Sequence, residues 1–238
     1  MSTSPSQPAA LLHPGQAERA ERAERAERAP RRDAAANYGR VLDAARAVFG
    51  ERGADACMEE IAARAGVGVG TVYRRFASKD ALVDELLRLA LEDMTAAAQL
   101  ALTVAGGHGL EHFLHAAGEA FANHARYADL LLSRPADPRA TSRIAAGIEE
   151  LTARAVAAGT VRPDVTGGDV LALTWTLRGL VQATVAVAPD CWRRYLDIHL
   201  AGLRAPGPLT PEAAMSAQQM AALTSAARRR LAGSAGQG

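Results

Sequence analysis

The sequence predicts an all-α protein, and three observations carry that prediction. Ala, Leu and Arg dominate a chain of 238 residues in which aromatics make up only 4%. Ala and Leu are the strongest helix formers, while strand-favouring β-branched and aromatic residues are sparse apart from scattered Val. From Asn37 onward apolar residues recur at three- and four-residue spacing, and Gly and Pro mark the breaks between the periodic segments. The hydrophobic fraction, 49%, is enough to bury the core of one large domain or two small ones.

Bulk properties narrow the function classes. The formal net charge is +1, so a nucleic-acid-binding face would have to be local. No apolar run approaches the roughly 20 residues that span a bilayer. The opening "MSTSPSQPAALLHPGQ" has neither a basic region nor a continuous apolar stretch, so no secretory signal and no membrane partner are expected. The two cysteines, Cys57 and Cys191, form no CxxC and no disulfide framework, which suits a reducing cytoplasm.

Residues 1–36 read as a disordered or partly helical extension. Within it "ERAERAERAERA" offers favourable i,i+4 pairs such as Glu18–Arg22 and Glu21–Arg25, each worth about 0.2–0.5 kcal/mol. A three-residue period drifts around a helix, however, and builds no lasting apolar face. The segment reads as a solvated extension, with a DNA-touching arm carrying Arg31 and Arg32 as the alternative.

A first helix from Asn37 places Val41, Leu42, Ala45, Val48 and Phe49 on one face, with Gly53 suited to its C-terminal cap. "MEEIAARAG" gives a second, with Met58, Ile61, Ala62 and Ala65 inward. After the turn "GVGVG", "TVYRRF" makes a short third helix with Val72 and Phe76 inward. Ser78 is an N-cap for a long fourth helix with Leu82, Leu86, Leu89 and Met94 inward, stopped by "AGGHG". One helix is expected from Leu110 to about Leu132 and another from Thr141 to Ala158. Two more are expected near 168–187 and 191–204, and residues 206–238 read as a flexible tail.

Helix, short glycine turn and helix, sealed by apolar residues, is a helix-turn-helix pattern. In that unit the second helix enters the major groove and its first residues meet base edges, so small residues belong where it approaches closely. Gly68 and Gly70 meet that need, Thr71 and Tyr73 bring hydroxyls, and Arg75 follows Thr71 by one turn. Lys79, the chain's only lysine, opens the next helix and is a phosphate contact in this reading.

The stretch "GADACMEEIAARAGVGVGTVYRRFASKDAL", Gly53 to Leu82, resembles the N-terminal DNA-binding domain of the TetR family of bacterial regulators. The resemblance covers about residues 37–85: the phase of the first helix, the EEIA of the second, the AGV turn, GTVYRRF and the SKDAL entry to the fourth. It implies a helix-turn-helix domain at 37–83, a helical ligand-binding and dimerisation domain at 84–205, and about nine helices. It also implies a homodimer that binds a palindromic double-stranded operator and is released by a small molecule. That makes a cytoplasmic, nucleoid-associated repressor; activation is the alternative within the family. Carried over by position, the DNA-facing residues are Val69, Gly70, Thr71, Tyr73, Arg75 and Lys79, with Arg74 and Arg40 as weaker phosphate candidates. Cys57 departs from the family's Thr or Ser: either Asp55 caps the second helix or that contact is lost.

In the C-terminal half the helices near 168–187 and 191–204 resemble the family's dimer-forming pair, with Leu171, Leu173, Leu177 and Leu200 expected to supply apolar surface for burial between subunits. Met94, Phe113, Phe121, Tyr127, Trp175, Arg178 and Gln182 are the pocket candidates. Arg178 has two readings, partner to an acidic ligand or ion-pair member at the dimer interface. His108, His112 and His115 invite a metal reading, but no second cluster joins them, and no metal or cofactor is expected. No nucleophile–base pair, phosphate loop or paired-carboxylate signature favours an enzyme with a helix-turn-helix appendage.

Overall fold

The computed structural model describes residues 34–207 and, beyond them, 215, 216, 219, 222, 223 and 226. The extension before residue 34, with its Glu-Arg-Ala repeat, and most of the tail lie outside the described residues. Among the described residues every regular element is helical, as the composition predicts. Helix α1 runs over 34–52, starting ahead of the expected Asn37. Gly53, at φ 58°, opens a 3-10 turn, Gly53–Asp55, that leads into α2, Met58–Ala65. Helix α3 is Val69–Arg75 and α4 is Lys79–Ala101. The Ser78 hydroxyl accepts the Ala81 N–H at 3.1 Å, the expected cap of α4.

The expected helix from Leu110 to Leu132 is broken. Helix α5 spans Gly109–His124, a 3-10 turn covers Ala125–Tyr127, and α6 covers Ala128–Ser133. No Pro or Gly marks the break. Its cause is tertiary: Phe113, Leu114 and Ala117 pack in one core, whereas Tyr127 and Leu131 pack in another. A straight helix would keep all five on one stripe, so the chain turns at 125–127. Helix α7, Pro138–Ala157, starts with Pro at its first position and Asp137 as cap, the Asp137 carboxylate accepting the Arg139 N–H at 2.9 Å. A reciprocal Thr166–Asp169 capping box opens α8, Gly167–Thr184, and α9 is Cys191–Arg204.

Two hydrophobic cores result. The first joins α1, α2, α3 and the start of α4 around Phe49, Ile61, Val72 and Leu82, with Tyr127 and Leu131 added from the body. The second joins the end of α4 to α5, α7, α8 and α9 around Phe113, Leu114, Ile148, Val170 and Trp192. Helix α4 crosses the expected domain boundary at 83–84 without interruption and contributes to both.

The contact of α5 with α9 depends on Gly118. A Cβ there would lie 2.2 Å from Trp192 Cζ3, and Trp192 is fully buried, with no room to retreat. Gly118→Ala is therefore expected to cost about 1–3 kcal/mol by overpacking. The same change at an unobstructed helical site would stabilise by about 0.5–1 kcal/mol. The sign of the shift in thermal midpoint, measured by circular dichroism, decides between them.

Candidate nucleic-acid interface and ligand cavity

The turn between α2 and α3 is built by Gly66, at φ 64°. The N–H of Gly66 bonds the Ala63 carbonyl at 3.2 Å and that of Val67 bonds Ala62 at 3.1 Å, which closes α2 in a left-handed cap. Gly68 then serves as N-cap of α3 in an extended conformation, so the helix begins at Val69, ahead of the expected Thr71. Val72 is fully buried and Phe76 nearly so, which fixes the rotation of α3 and turns Val69 and Tyr73 outward, 39% and 45% exposed. A Cβ at Gly70 would meet nothing within 4 Å. The protein's own packing does not require glycine there.

The cations of this unit fall into different environments. The Arg74 guanidinium lies along its own helix, donating to the Gly70 carbonyl and the Thr71 hydroxyl, both at 3.2 Å. Arg75 stands over the Tyr38 ring, 4.9 Å from its centroid. The ammonium of Lys79 donates to the Ala54 carbonyl at 2.5 Å, so it staples the 3-10 turn to the start of α4. Arg40 pairs with the neighbouring Asn37 side chain. Cys57, not Asp55, occupies the N-cap of α2, and the Glu60 carboxylate accepts its backbone N–H at 3.3 Å. Behind α3, Tyr38 donates to Glu85, which also takes two bonds from Arg88 at 2.7 Å. The Arg88 bonds, followed by the tyrosine, hold the Glu85 carboxyl down at about 2.

The body forms a cavity of about 370 Å³, open to one side and bordered by α4, α5, α6, α7 and α8. Five of the seven sequence-derived pocket candidates line it: Met94, Phe113, Phe121, Trp175 and Arg178. The other two do not. Tyr127 is buried in the head core, because the turn at 125–127 swings it away. Gln182 reaches the first turn of α6 instead, donating to Asp129 at 2.6 Å. The cavity also takes in His124, Thr141, Ser142, Ile144, Ile148 and Thr174. Leu171, one turn before Trp175, lines it too, and extending the Trp175–Arg178 stripe along α8 would have found it. Ile144 and Ile148 carry no signal that separates a cavity wall from ordinary core.

The expected subunit-facing leucines are engaged elsewhere. Leu173, Leu177 and Leu200 are buried in the body core, and Leu171 faces the cavity. Helices α8 and α9 both pack on α5, and other residues of the two are left outward: Tyr195 and Ile198 of α9, 46% and 53% exposed, and the exposed Thr176, Gly179 and Ala183 of α8. Among the described residues no group of three or more His, Cys, Asp or Glu is disposed to hold a metal, and no helix is long and apolar enough to cross a membrane.

A glycine-capped helix-turn-helix joined by one helix to an α-helical body is the architecture of a transcriptional regulator. Sequence comparison agrees. Residues 41–86 match the model for bacterial regulatory proteins of the TetR family, and residues 105–205 match the C-terminal domain of SbtR-like transcriptional regulators. A TetR transcription regulatory protein from Mycobacterium vanbaalenii is 32% identical over 74% of this chain and 99% of its own, with a TM-score of 0.56. The ketosteroid transcriptional regulator KstR2 of Mycobacterium tuberculosis is 25% identical over 71% and 95%, with a TM-score of 0.53. The curated sequence of the M. tuberculosis repressor KstR2 matches at 49% identity over 51 residues, which span 21% of this chain and only 26% of that protein. The chain belongs to the TetR family, whose members and structural neighbours here are transcriptional regulators, not enzymes.

His124 is the one imidazole among the described residues that line the cavity. Burial, aided by the Arg46 charge and opposed by Asp93, pushes the His124 imidazole below its usual value of 6.5. Tyr127 packs edge-on against it, 5.7 Å between centroids, and Arg178 shares the cavity. As pH falls through 6.5 the unfolded chain takes up a proton that the folded chain refuses, so this histidine's contribution to stability declines until its folded value is reached and is constant below it. Chemical denaturation of wild type and His124→Gln between pH 7.5 and 5 is expected to show a steeper loss in the wild type.

Proposed function

We propose that the protein is a homodimeric transcriptional repressor that binds a palindromic operator through α3 and is released by a small molecule in the body cavity. The observation that carries this reading is the continuity of α4, which begins beside the recognition helix and forms a wall of the cavity through Leu87, Leu91 and Met94. Repression is supported by the 49% identity to a repressor over 51 residues. In this reading Val69, Gly70, Thr71 and Tyr73 meet base edges, and Arg74, Arg75 and Lys79 serve phosphates once the helix docks. Lys79 keeps donors beyond the one given to Ala54, because an ammonium has three.

A two-fold operator needs two heads about one DNA turn apart, roughly 34–36 Å. The outward face of α8 and α9 suits an isologous pairing, in which the small residues of α8 admit the Tyr195 and Ile198 side chains of a second copy. Residues 1–36 and 206–238 are then an extension and a tail, with the head at 37–83, the body at 84–205 and the whole acting in the cytoplasm. Ligand control has a physical path. Ala128, Leu131 and Leu132 of α6 line the cavity. Just after them, Arg134 grips α4 through Asp84 at 2.6 and 2.9 Å and Asp80 at 2.7 Å. A ligand that holds α6 in a different position shifts the head only by its differential affinity for the two arrangements.

Selection from a random duplex pool at about 0.15 M salt, where non-specific phosphate binding is weak, is expected to enrich an inverted repeat. Tyr73→Ala is expected to abolish the enrichment with the fold intact, since the side chain is exposed. On the selected site Gly70→Ala is expected to weaken binding about tenfold or more with no loss of thermal stability, because the added methyl meets only open space in the protein. A folded protein that enriches no repeat, or a Tyr73→Ala variant that enriches the same one, overturns the reading.

A further inference from the structure

Arg75 is held differently from the other cations of the head. Arg46, Arg52, Arg64 and Arg88 are paired with carboxylates. Arg74 directs its donors to its own helix, and Lys79 gives one to the Ala54 carbonyl. Among the described residues Arg75 neither joins an ion pair nor donates a side-chain hydrogen bond, and its guanidinium rests 4.9 Å from the centroid of the Tyr38 ring. An aromatic face attracts a cation through its quadrupole. Unlike a carboxylate, it leaves the charge in place and the N–H donors unoccupied.

The ring itself is fixed from two sides. It stacks on Phe76, with centroids 6.1 Å and planes 25° apart, and Phe76 is buried in the head core. Its hydroxyl donates to Glu85 of α4, which Arg88 bonds in turn at 2.7 Å. The Arg75 charge is felt at Glu85, but the bonds of that carboxylate go to Tyr38 and Arg88, which leaves Arg75 to the ring. Helices α1, α3 and α4 therefore set the place of one flat surface beside the end of the recognition helix. An arginine has much rotamer freedom to lose when it engages a phosphate. A shelf that limits those rotamers beforehand removes part of that cost from the binding step.

We propose that Tyr38 is a positioning residue for DNA binding: its ring holds the Arg75 guanidinium in place for an operator phosphate without neutralising it. The inference rests on the operator-binding reading above and adds to it a residue of α1 that acts through Arg75.

The test is a double-mutant cycle with the full-length protein on the operator selected above, with thermal midpoints measured alongside. Arg75→Ala is expected to weaken binding about tenfold and to lower the slope of log affinity against log salt by about 0.9, the share of one phosphate. Tyr38→Leu is expected to weaken binding about threefold or more when Arg75 is present, and less than about 1.5-fold when Arg75 is already alanine. Tyr38→Phe keeps the ring and its stack on Phe76 and is expected to stay within about twofold of wild type. A change that merely loosened the head would weaken binding by the same factor in both backgrounds, so the coupling separates positioning from folding. If Tyr38→Leu does not fold, Tyr38→Met takes its place and must meet the same criterion. Equal losses in the two backgrounds, no loss from Tyr38→Leu, a Tyr38→Phe variant as weak as Tyr38→Leu, or an Arg75→Ala variant that keeps the wild-type affinity and salt slope overturns the inference. Operator selection is read separately. A protein that enriches an inverted repeat but shows no coupling loses the role of Tyr38 and keeps the regulator reading. A protein that enriches none loses both.

Discussion

One helix belongs to two cores, and the rest of the molecule is arranged around that constraint. Leu82, Val83, Leu86 and Leu87 of α4 complete the core of the head, and Ala98 and Ala101 sit in that of the body. Leu87 is the pivotal residue, because it is buried in the head core and also lines the cavity. A cavity occupant therefore touches a side chain on which the head itself is packed. Interiors are close-packed and respond to displaced volume by shifting whole elements, not by local compression. The Arg134 clamp on Asp80 and Asp84 strengthens the same link from outside. Arg134 is half-buried between elements distant in sequence, a more favourable setting than the exposed Arg154–Glu150 pair within α7.

Much of this was legible in the sequence, and the exceptions have physical causes. The buried positions of α1 and α2 follow from 3.6-residue periodicity, and the inward residues expected of α2, Met58, Ile61, Ala62 and Ala65, are the buried ones. The caps at Ser78 and Gly53 are local chemistry and were readable. The break at 125–127 was not, because it arises from competition between two cores for Phe113 and Tyr127, not from any breaking residue. The leucines of α8 were assigned to a subunit interface because a helix apolar on several faces does not reveal which face meets its own domain. Five pocket candidates reached the cavity because α4, α5 and α8 converge there, whereas Tyr127 lies in the turn at 125–127 and Gln182, further along α8 than Arg178, reaches Asp129 of α6 instead.

Charge illustrates the limits of composition. A net charge of +1 gives no hint of a DNA-facing surface. In the folded chain many arginines are taken up by neighbours: Arg64 by Glu51, Arg88 by Glu85 and Glu92, Arg162 by Asp164, Arg204 by Glu111. Such exposed pairs add little stability, yet they remove positive potential from the rest of the surface. Arg74 is bonded only along its own helix among the described residues, and it lies beside Tyr73 on the outward side of α3. What separates this surface from the others is thus the absence of acidic neighbours on α3 itself, VGTVYRR, and not an excess of cations in the chain.

The same accounting explains why the recognition helix is not an independent appendage. Helix α3 is seven residues long, too short to hold its shape alone. Val72 and Phe76 anchor it in the core, and Arg75 adds a second attachment over Tyr38, whose ring stacks on Phe76 with centroids 6.1 Å apart. The Tyr38 hydroxyl is in turn held by Glu85 on α4, a carboxylate that stays ionised at any physiological pH because Arg88 holds it near 2. Helices α1, α3 and α4 are consequently joined by packing and by one continuous chain of aromatic and ionic contacts. A displacement of α4 at Leu87 or at the Arg134 clamp must either break that chain or carry α3 with it. The second course leaves every contact within the head intact, so the head moves as a body.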